Sequence, residues 1–537
     1  MPAKRTLLVL LLSLFLALAN LTGAAALAQI KIIITNDVHG RIMTDPAGKQ
    51  IGYPLLKGYI NDISASGWRV FLLDSGDALS GGASTQVDHG RSMAELMGIM
   101  GYRVLAPGNH EFDYNKVENN PLYYSQVLLK TVQKFSSGAV STVSHNLSRN
   151  GREIPGIQRN PVIIHDETNG NPKGIRLIIT GIVTPYNSWA MQSSFGGYDF
   201  GLLQNPAQTK ERILKNLAAS LKQYDRPNDV VIVLSHVGQD ITGKRKGIYI
   251  TGPDLATVVN VDFVADGHSH TAVHPLKTGT AVYGNGGRHL ENFLEITIDN
   301  DGNRRMERKS YDDVSGLRPD PKIENWLSAF EGRHDLSKVL FRLPAGAIFS
   351  DRNIRTANIP LGRLICRAMM DFSGADAAFH NSGGIRAGLP AGPVTVRALY
   401  DVLPFSNNLV TFSLTGQELT EKVLERHFIR GIYGLPQFYG LTIYAWSDAD
   451  NNLKIAGIRD RNGAPLMRDK KYLVAMNDFM ARGLDFSAQS HGELLQGIKK
   501  ELTRSSDLRL EEVIVNRSLL IFPNQEEAQK AWEAGRL

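Results

Sequence analysis

The chain has very little cysteine: Cys366 is the only one among 537 residues. No intramolecular disulfide can form, so the fold must depend on the burial of apolar side chains. Cys366 lies within residues 364–369, whose pattern predicts a helix. We therefore expect Cys366 to pack in a core, which argues against a thiol nucleophile.

The chain also lacks a concentrated basic tract. Its formal net charge is only +6, and lysine and arginine are scattered along it. A nucleic-acid groove would concentrate these residues, so a nucleic-acid polymer is not expected as a partner. The hydrophobic share of 42% is ordinary for a globular protein. Because 537 residues exceed one ordinary core, the length predicts two domains.

Long hydrophobic runs are missing everywhere except at the start of the chain. Lys4 and Arg5 precede an apolar run from Leu7 to Leu18, and Ala26-Leu27-Ala28 stands before Gln29. This order predicts a secretory signal peptide of residues 1–28 and a periplasmic or secreted protein. The alternative is an uncleaved membrane anchor, but the run is short for a bilayer span. No membrane contact is expected after cleavage.

Five predicted strands each end at a cluster of Asp, Asn, His or Gly. The strands are Ile30–Thr35, Val70–Asp74, Val104–Ala106, Asp229–Leu234 and Val261–Ala265, and the clusters lie at residues 36–40, 74–77, 107–110, 235–236 and 266–270. Helical patterns such as Met93–Met100 and Ala207–Gln223 lie between them. Alternating strands and helices predict an α/β fold. Open α/β sheets place their sites at strand ends.

Taken singly, each cluster has an ordinary explanation, because Asp-x-His can cap a helix and Gly-Asn-His can form a tight turn. Together they supply seven nitrogen and oxygen ligands: Asp37, His39, Asp77, Asn109, His236, His268 and His270. This ligand type suits Zn, Mn, Fe or Co. Seven ligands exceed one tetrahedral site and fit two divalent ions that share a bridging carboxylate.

The order of the five motifs resembles the calcineurin-like metallophosphoesterase family over Ile30 to Ile298. The resemblance implies a four-layer α/β/β/α domain. It assigns Asp37, His39 and His270 to one ion, and Asn109, His236 and His268 to the other, with Asp77 as the bridge. Two such ions lower the pKa of a bridging water and polarise the phosphoryl group, so that this water can attack the ester.

The family resemblance also implies a catalytic pair beside the metal ligands. His110 follows Asn109 directly, and Asp113 lies three residues further on. His110 is expected to stabilise transition-state charge or assist the leaving oxygen, with Asp113 orienting it. A helix N-terminal cap is the alternative role for Asp113. Glu111 is expected to be structural.

A polar stretch with two prolines, Asp312 to Pro321, marks a change of domain, and a helix is predicted over Lys322–Glu331. New strands follow at Asp376–Phe379, Leu409–Leu414 and Tyr472–Met476. We assign residues 29–315 to the metallophosphoesterase domain, 316–337 to a linker helix and 338–525 to a C-terminal α/β domain that binds substrate.

Motifs of the C-terminal half resemble the 5'-nucleotidase/UDP-sugar hydrolase family, which extends the resemblance over nearly the whole mature chain. They are Arg355–Asn358, Leu361–Ile365, Asn381–Arg386, Leu403–Asn408 and Asn477–Asp485. The resemblance implies a nucleoside pocket in which Phe405 and Phe479 stack on the base and Asp485 binds the ribose. Arg355, Asn381 and Arg386 would contact base or phosphate.

The resemblance implies hydrolysis of nucleoside 5'-monophosphates to nucleoside and phosphate. Cleavage of UDP-sugars or dinucleotides is an alternative, as is a 2',3'-cyclic nucleotide phosphodiesterase. A non-catalytic metal-binding surface protein is the alternative from another class. The sequence departs from the family pattern in three places: Ser382 stands where the family has glycine, Leu484 adds a larger side chain beside Asp485, and two residues are inserted between Asn358 and Leu361.

Overall fold

The computed structural model describes residues 29–165, 174–186, 197–239, 248–344, 350, 353–389, 391–428, 434–448, 452–482, 484, 486–504, 513–514 and 518–535. The predicted signal peptide, residues 1–28, lies outside this set. Among the described residues, no helix is both long and apolar enough to cross a membrane.

The chain divides into two compact units. Unit 1 contains the described residues as far as Ser80 and then Asp88–Ser328, and unit 2 contains Gly81–Val87 and the described residues from Ala329 onward. The division falls within the helix Pro321–Arg333, close to the predicted linker helix. The assigned limits at residues 315 and 338 stay a prediction.

Unit 1 is built on two six-stranded sheets. The first has the strand order β14-β13-β1-β2-β3-β4 and the second β11-β12-β10-β9-β7-β6. The strands are β1 Ile30–Thr35, β2 Arg69–Asp74, β3 Tyr102–Leu105, β4 Ser141–Thr142, β5 Ser148–Arg149, β6 Val162–His165, β7 Arg176–Val183, β8 Tyr198–Asp199, β9 Asp229–His236, β10 Phe263–Asp266, β11 Val273–Thr278, β12 Ala281–Asn285, β13 Asn292–Ile298 and β14 Arg304–Ser310. β5 and β8 form a separate small pair.

Successive side chains of these strands point alternately to the two faces of each sheet and so pack in different layers of unit 1. In β1, Ile32 and Ile34 lie in the core between the sheets, whereas Ile33 faces the helices that cover the first sheet. In β9, Ile232 faces the other sheet and Val233 the helices beyond the second sheet. This period of two gives two helix layers outside two sheets, so the expected four-layer α/β/β/α arrangement is confirmed.

The helices of unit 1 and of the segment between its parts are mostly short. They are α1 Gly52–Ala65, α2 Ala83–Gln86, α3 Arg91–Met100, α4 Asp113–Val117, α5 Leu129–Phe135, α6 Pro206–Leu221, α7 Gly252–Leu255, α8 Tyr311–Val314 and α9 Pro321–Arg333. Asn205 caps α6, because its side chain accepts from the N–H groups of Ala207 and Gln208.

Unit 2 has a five-stranded sheet of order β19-β16-β22-β18-β23, a three-stranded sheet of order β21-β20-β24 and a pair β15-β17. Its strands are β15 Val339–Leu343, β16 Ala377–His380, β17 Gly392–Thr395, β18 Asn408–Thr415, β19 Gln437–Tyr439, β20 Leu441–Ser447, β21 Leu453–Asp460, β22 Lys471–Asn477, β23 Gln489–Glu493 and β24 Leu519–Phe522. Its further helices are α10 Pro360–Ser373, α11 Val396–Val402, α12 Gly416–Glu418, α13 Glu425–Phe428, α14 Leu494–Arg504 and α15 Gln525–Glu533.

Two hydrophobic cores pack against the five-stranded sheet of unit 2, one on each face. One packs α10 and α14 against a face of the sheet and contains the fully buried Cys366. The other lies on the opposite face, where Phe379 and Met476 pack with residues of β20 and β21. The expected burial of Cys366 in a helix is confirmed, and its Sγ contacts the carbonyl oxygen of Gln437 at 3.3 Å.

Candidate functional site

The predicted metal ligands lie at strand ends of both sheets of unit 1. β1, β2 and β3 run parallel and end shortly before Asp37, Asp77 and Asn109, while β9 ends at His236 and β10 precedes His268 and His270. The N–H of His268 donates to the carboxylate of Asp37, with N···O distances of 3.2 and 2.9 Å. The ends of the two sheets therefore meet at Asp37.

Five of the seven predicted ligands have a positive φ, which is uncommon for residues with a side chain. The values are 48° at Asp37, 49° at His39, 59° at Asp77, 68° at His268 and 54° at His270. This conformation costs about 1–2 kcal/mol per residue, so the surrounding structure must impose it. The N–H groups of Asp37 and His39 donate to the carbonyls of Gly76 and Asp77, each at 2.9 Å. Such concentrated strain is typical of functional sites.

Asp37, His39 and His270 form one group of possible ligands, with ligand atoms within 4.8 Å of one another. His270 Nε2 lies 3.2 Å from Asp37 Oδ1 and 3.2 Å from His39 Nε2. One carboxylate oxygen and two imidazole nitrogens thus converge. The family resemblance assigns these same three residues to one metal ion.

Asp37, Asp77 and His236 form a second group. His236 Nε2 lies 3.0 Å from Asp77 Oδ2 and 3.9 Å from Asp37 Oδ1. Asp77 Oδ2 is also 3.7 Å from His39 Nε2. Asp77 therefore lies near residues expected to hold different ions, as a bridging ligand must, and Asp37, which belongs to both groups, does so as well.

Asn109 and His268 complete the set. Asn109 Oδ1 lies 2.9 Å from His268 Nδ1, and the rings of His268 and His236 are 5.4 Å apart between centroids. Since His268 also contacts Asp37 through its N–H, all seven predicted ligands belong to one connected cluster.

Two histidines of the cluster have a ring orientation set by backbone carbonyls. His39 Nδ1 lies 2.7 Å from the carbonyl oxygen of Ser80, and His236 Nδ1 lies 2.7 Å from that of Ser75. A carbonyl can only accept, so in each neutral ring Nδ1 carries the proton and Nε2 the lone pair. Within the described residues, buried His236 Nε2 makes no hydrogen bond of acceptable geometry. A lone pair aimed at a carboxylate oxygen fits a cation between them.

The charges of the cluster also suit cations. Burial lowers the pKa of His39 and of His268 to about 3 in each case, so both rings are neutral. Burial disfavours charge on His236 as well, but the carboxylates of Asp77 and Asp37 outweigh it and raise its pKa to about 10. The site therefore stabilises a buried positive charge, which metal ions would supply in place of a proton.

Glu111 holds two of the ligand loops together. Its buried carboxylate accepts from the N–H groups of Asp77, Ala78 and Leu79 at 2.8, 2.8 and 3.1 Å, and from that of Gly108 at 2.6 Å. Burial and the Asp77 carboxylate raise the pKa of Glu111 to about 7, against the N–H donors, which favour its ionised form. Glu111 thus holds in place the two loops that carry the predicted ligands Asp77 and Asn109.

His110 and Asp113 are in contact. His110 Nδ1 lies 2.7 Å from Asp113 Oδ2, and the same oxygen accepts from the hydroxyl of Ser80 at 2.9 Å. The ring of His110 lies 5.5 Å from that of His39 between centroids. Asp113 is the first residue of α4, yet its carboxylate contacts these two side chains. This is the contact that an orienting residue requires.

Three of the residues predicted to bind a nucleoside lie at one edge of the five-stranded sheet of unit 2. Asn381 follows β16 and Phe479 follows β22, which runs parallel to it, while Phe405 precedes β18, which runs antiparallel to β22. Asn477 Nδ2 donates to Asn381 Oδ1 at 2.6 Å, which joins the ends of β16 and β22. These connections bring three of the predicted residues to the same sheet edge.

An arginine lies over each of the two half-buried aromatic rings. Arg386 Cζ is 5.8 Å from the centroid of Phe405, and Arg482 Cζ is 5.1 Å from that of Phe479. The partner of Phe405 is thus another predicted contact residue. Asp485, expected at the ribose, lies outside the described residues.

Ser382, which stands where the resembled family has glycine, is bonded to another segment of unit 2. Its side chain is buried, and its hydroxyl donates to the carbonyl oxygen of Leu435. The next residue, Gly383, lies where a Cβ atom would be 3.5 Å from Arg355 Nη2 and 3.6 Å from Asn381 Nδ2. The predicted contacts Arg355 and Asn381 therefore converge over Gly383.

Two residues important to this site were not singled out from the sequence. Ser80 contacts His39 through its carbonyl oxygen and Asp113 through its hydroxyl. Asp266 is buried, and its Oδ1 accepts from Ser235 Oγ at 2.7 Å beside His236. No sequence motif marks either contact, although each residue lies within three positions of a predicted ligand.

Two family models match the chain. The calcineurin-like phosphoesterase model matches residues 30–272, and the model of the 5'-nucleotidase C-terminal domain matches residues 338–490. The first range contains all predicted metal ligands, and the second contains all predicted nucleoside contacts.

Known proteins are similar over most of their length. A 5'-nucleotidase of Vibrio cholerae is 25% identical over 510 residues, which are 85% of this chain and 85% of that protein. Protein UshA of Escherichia coli is 24% identical over 511 residues, covering 85% and 86%. The crystal structure of a 5'-nucleotidase precursor from Thermus thermophilus has a TM-score of 0.66 at 20% identity, covering 92% of this chain and all of that one. This structural likeness shows a shared fold.

Proposed function

We propose that this chain, a phosphoric ester hydrolase that matches the calcineurin-like phosphoesterase and 5'-nucleotidase C-terminal family models, hydrolyses nucleoside 5'-monophosphates to nucleoside and phosphate. The fold implies divalent metal ions, and we propose two of them. The observation that carries the proposal is the connected cluster of seven predicted ligands, in which buried His236 Nε2 lies 3.0 Å from Asp77 Oδ2. Export to the periplasm or beyond is part of the proposal.

The proposed ligands fall into two sets. Asp37, His39 and His270 would hold one ion, and Asn109, His236 and His268 the other, with Asp77 contacting both. When bound, the ions supply positive charge that polarises the phosphoryl group and lowers the pKa of water at the site. The neutral rings of His39 and His268 suit this role, since a protonated imidazole cannot bind a metal ion.

His110 is proposed to act on the reacting phosphoryl group. Its Nδ1 is held by Asp113 Oδ2 at 2.7 Å, which fixes the ring and stabilises its protonated form. A positively charged ring in this place can donate from Nε2 to a phosphoryl oxygen or to the departing ribose oxygen. Asp113 orients the ring, and the Ser80 hydroxyl in turn holds Asp113.

The nucleoside would be recognised by unit 2. Stacking of a base on the rings of Phe405 and Phe479 contributes about 1–3 kcal/mol per base and tolerates any base. Arg355, Asn381 and Arg386 supply hydrogen-bond donors, and an arginine can grip phosphate oxygens in pairs. Asp485 would accept from the ribose hydroxyls. This division assigns bond cleavage to unit 1 and recognition to unit 2.

A substrate panel tests the proposal. Initial rates are measured with Mn or Zn on AMP, UMP, UDP-glucose, 2',3'-cyclic AMP, p-nitrophenyl phosphate and bis-p-nitrophenyl phosphate. We expect the highest kcat/KM on AMP and UMP. Hydrolysis of bis-p-nitrophenyl phosphate far above that of AMP would sink the nucleotidase assignment, and UDP-glucose as the best substrate would favour the sugar-nucleotide alternative.

A variant separates nucleoside recognition from cleavage. Phe479→Ala should raise KM for AMP about tenfold, because one stacking surface is lost, and should leave p-nitrophenyl phosphate turnover unchanged. Phe135→Ala, on the surface of unit 1, is the control and should change neither. Equal losses on both substrates in Phe479→Ala would contradict the stacking role.

A further inference from the structure

Two turns of unit 2 carry predicted ligand contacts and are joined through the segment that leads into β19. The first turn, Asn353–Asn358, holds Arg355, and the second, Asn381–Gly384, holds Asn381. They are distant in sequence, yet Arg355 Nη2 and Asn381 Nδ2 both lie close to the position of a Cβ at Gly383. A specific connection must hold the turns in this register.

Gln437, the first residue of β19, supplies part of that connection. It is fully buried, and its Nε2 donates to the carbonyls of Ile354 and Ala357 at 2.7 and 2.8 Å. Its Oε1 accepts from the N–H of Ile359 at 2.8 Å. One amide group thus satisfies three backbone groups around the first turn and fixes the turn on both sides of Arg355.

Ser382 supplies the connection to the second turn. Its hydroxyl donates to the carbonyl oxygen of Leu435, and Gln437 Nε2 lies 3.5 Å from the hydroxyl oxygen. Leu435 also donates from its N–H to the carbonyl oxygen of Arg355 at 2.8 Å. Leu435 therefore bonds to one turn through its N–H and to the other through its carbonyl.

We propose that Ser382 and Gln437 are positioning residues that couple the two turns into one rigid recognition element. Neither side chain needs to touch the ligand. Together they hold Arg355 and Asn381 side by side, so that two donors are presented to the same acceptor group of a nucleotide. Ser382, which stands where the family has glycine, therefore helps to position the residues that contact the nucleotide. The kinetic consequence rests on the proposed function, whereas the coupling itself does not.

Hydrogen–deuterium exchange tests the coupling without any substrate. Ser382→Ala and Gln437→Met each remove one part of the connection while keeping the side-chain volume nearly constant. In each variant we expect faster exchange in peptides covering both residues 353–359 and residues 381–386. Faster exchange in only one turn, or in neither, would overturn the proposal. If Gln437→Met fails to fold, Ser382→Ala carries the test.

Kinetics test the consequence for recognition. Each variant should raise KM for AMP about fivefold, the effect of one lost hydrogen bond, with kcat on AMP and turnover of p-nitrophenyl phosphate unchanged. Thr411→Val is the control, because Thr411 is a buried residue of β18 whose hydroxyl contacts His491 and neither turn. An unchanged KM despite faster exchange in both turns would refute the positioning role. If the wild-type enzyme cleaves p-nitrophenyl phosphate but no nucleotide, the proposed function fails while the exchange result still decides the coupling.

Discussion

Ser80 connects the cluster of predicted metal ligands to the proposed catalytic pair, His110 and Asp113, through two different groups. Its carbonyl oxygen lies 2.7 Å from His39 Nδ1, and its hydroxyl donates to Asp113 Oδ2 at 2.9 Å. The backbone of Ser80 therefore orients His39, a proposed metal ligand, while its side chain orients Asp113, which holds His110. Only the second contact depends on the identity of residue 80, so a substitution can separate the two.

We predict that Ser80→Ala lowers kcat on AMP about tenfold, because Asp113 loses a donor and holds His110 less firmly. Metal content should stay at the wild-type value, since the carbonyl that faces His39 remains. Steady-state kinetics and metal analysis check both statements. Ser125→Ala, a buried serine that bonds to the carbonyl of Leu122, is the control. A loss of metal in Ser80→Ala would contradict this division of roles.

Glu111 acts on the ligands through the backbone alone. Its two carboxylate oxygens accept from four N–H groups in the loops of Asp77 and Asn109. A carboxamide has one accepting oxygen and an NH2 group that cannot accept, so it can satisfy only part of this set. The side chain of Glu111 thus determines how the loops of Asp77 and Asn109 are held relative to each other.

We predict that Glu111→Gln lowers the free energy of unfolding by about 1–3 kcal/mol, the cost of leaving a buried donor unsatisfied. Metal affinity should fall in the same variant, since Asp77 is no longer held. Thermal unfolding and Mn titration measure the two effects, with the exposed Glu153→Gln as control. Full metal affinity in Glu111→Gln would show that the loops hold their shape without it.

At the scale of single residues, the sequence predicted groups with recognisable chemistry and missed groups that act on the backbone. The seven predicted ligands could be named because each stands at a strand end beside other ligand types, and the structure brings them into one cluster. Glu111 was expected to be structural, but its partners could not be named, since Asp77 and Leu79 are more than thirty positions away. Ser80 has no motif at all, because a serine hydroxyl and a carbonyl oxygen are common groups.

The loops after the strands are packed closely enough to require glycine at defined places. A Cβ at Gly108 would lie 2.2 Å from Asp77 Oδ1, and a Cβ at Gly76 would lie 2.3 Å from the backbone nitrogen of Gly108. A Cβ at Gly267 would lie 2.7 Å from Asp37 Oδ2. Neighbouring loops thus approach one another directly beneath the ligands, with no space for a side chain between them.

We predict that Gly108→Ala displaces Asp77 and lowers metal content to less than half of the wild-type value. The added Cβ would overlap the carboxylate of Asp77, which is proposed to contact both ions. Overpacking of this kind costs about 1–3 kcal/mol. Metal analysis and thermal unfolding check the prediction. Gly316→Ala is the matched control, because nothing lies within 4 Å of its Cβ position. An unchanged metal content would mean that the loops can move apart.

At the scale of elements, the limits of strands and helices were predicted closely, but the long-range contacts between elements were not. The predicted strand Ile30–Thr35 has the observed limits, and the predicted helix Ala207–Gln223 is observed as Pro206–Leu221. Hydrophobic periodicity is a local signal and survives in the fold. The connection of Gln437 to the turn of Arg355 joins residues about eighty positions apart, and no local pattern predicts it.

For the whole molecule, the family pattern predicted two domains, but it did not predict which unit every segment belongs to. The short segment Gly81–Val87 belongs to unit 2 although unit 1 residues stand on both sides of it. Within unit 2, the N–H of Ala83 donates to Asp401 Oδ1 at 3.2 Å. Because this contact joins residues more than three hundred positions apart, composition along the chain could not reveal it.

Export is a property of the whole chain that can be measured directly. We predict that the mature protein begins at Gln29, since a signal peptidase cleaves after small residues such as Ala26 and Ala28. Intact mass and N-terminal sequencing of protein from the periplasmic fraction or the medium check this. Full-length protein recovered from the membrane fraction would support the anchor instead.

The most direct test of the central claim is the metal content of the wild-type protein and of Asp77→Ala, measured together with phosphate release from AMP. Asp77 Oδ2 lies 3.0 Å from His236 and 3.7 Å from His39, which are proposed to hold different ions, so its loss should affect both sites at once. We expect about two divalent ions per wild-type chain, fewer than one in Asp77→Ala, and no measurable phosphate release from the variant. Two ions retained in Asp77→Ala, or fewer than one in the wild-type chain after incubation with Mn or Zn, would contradict this claim.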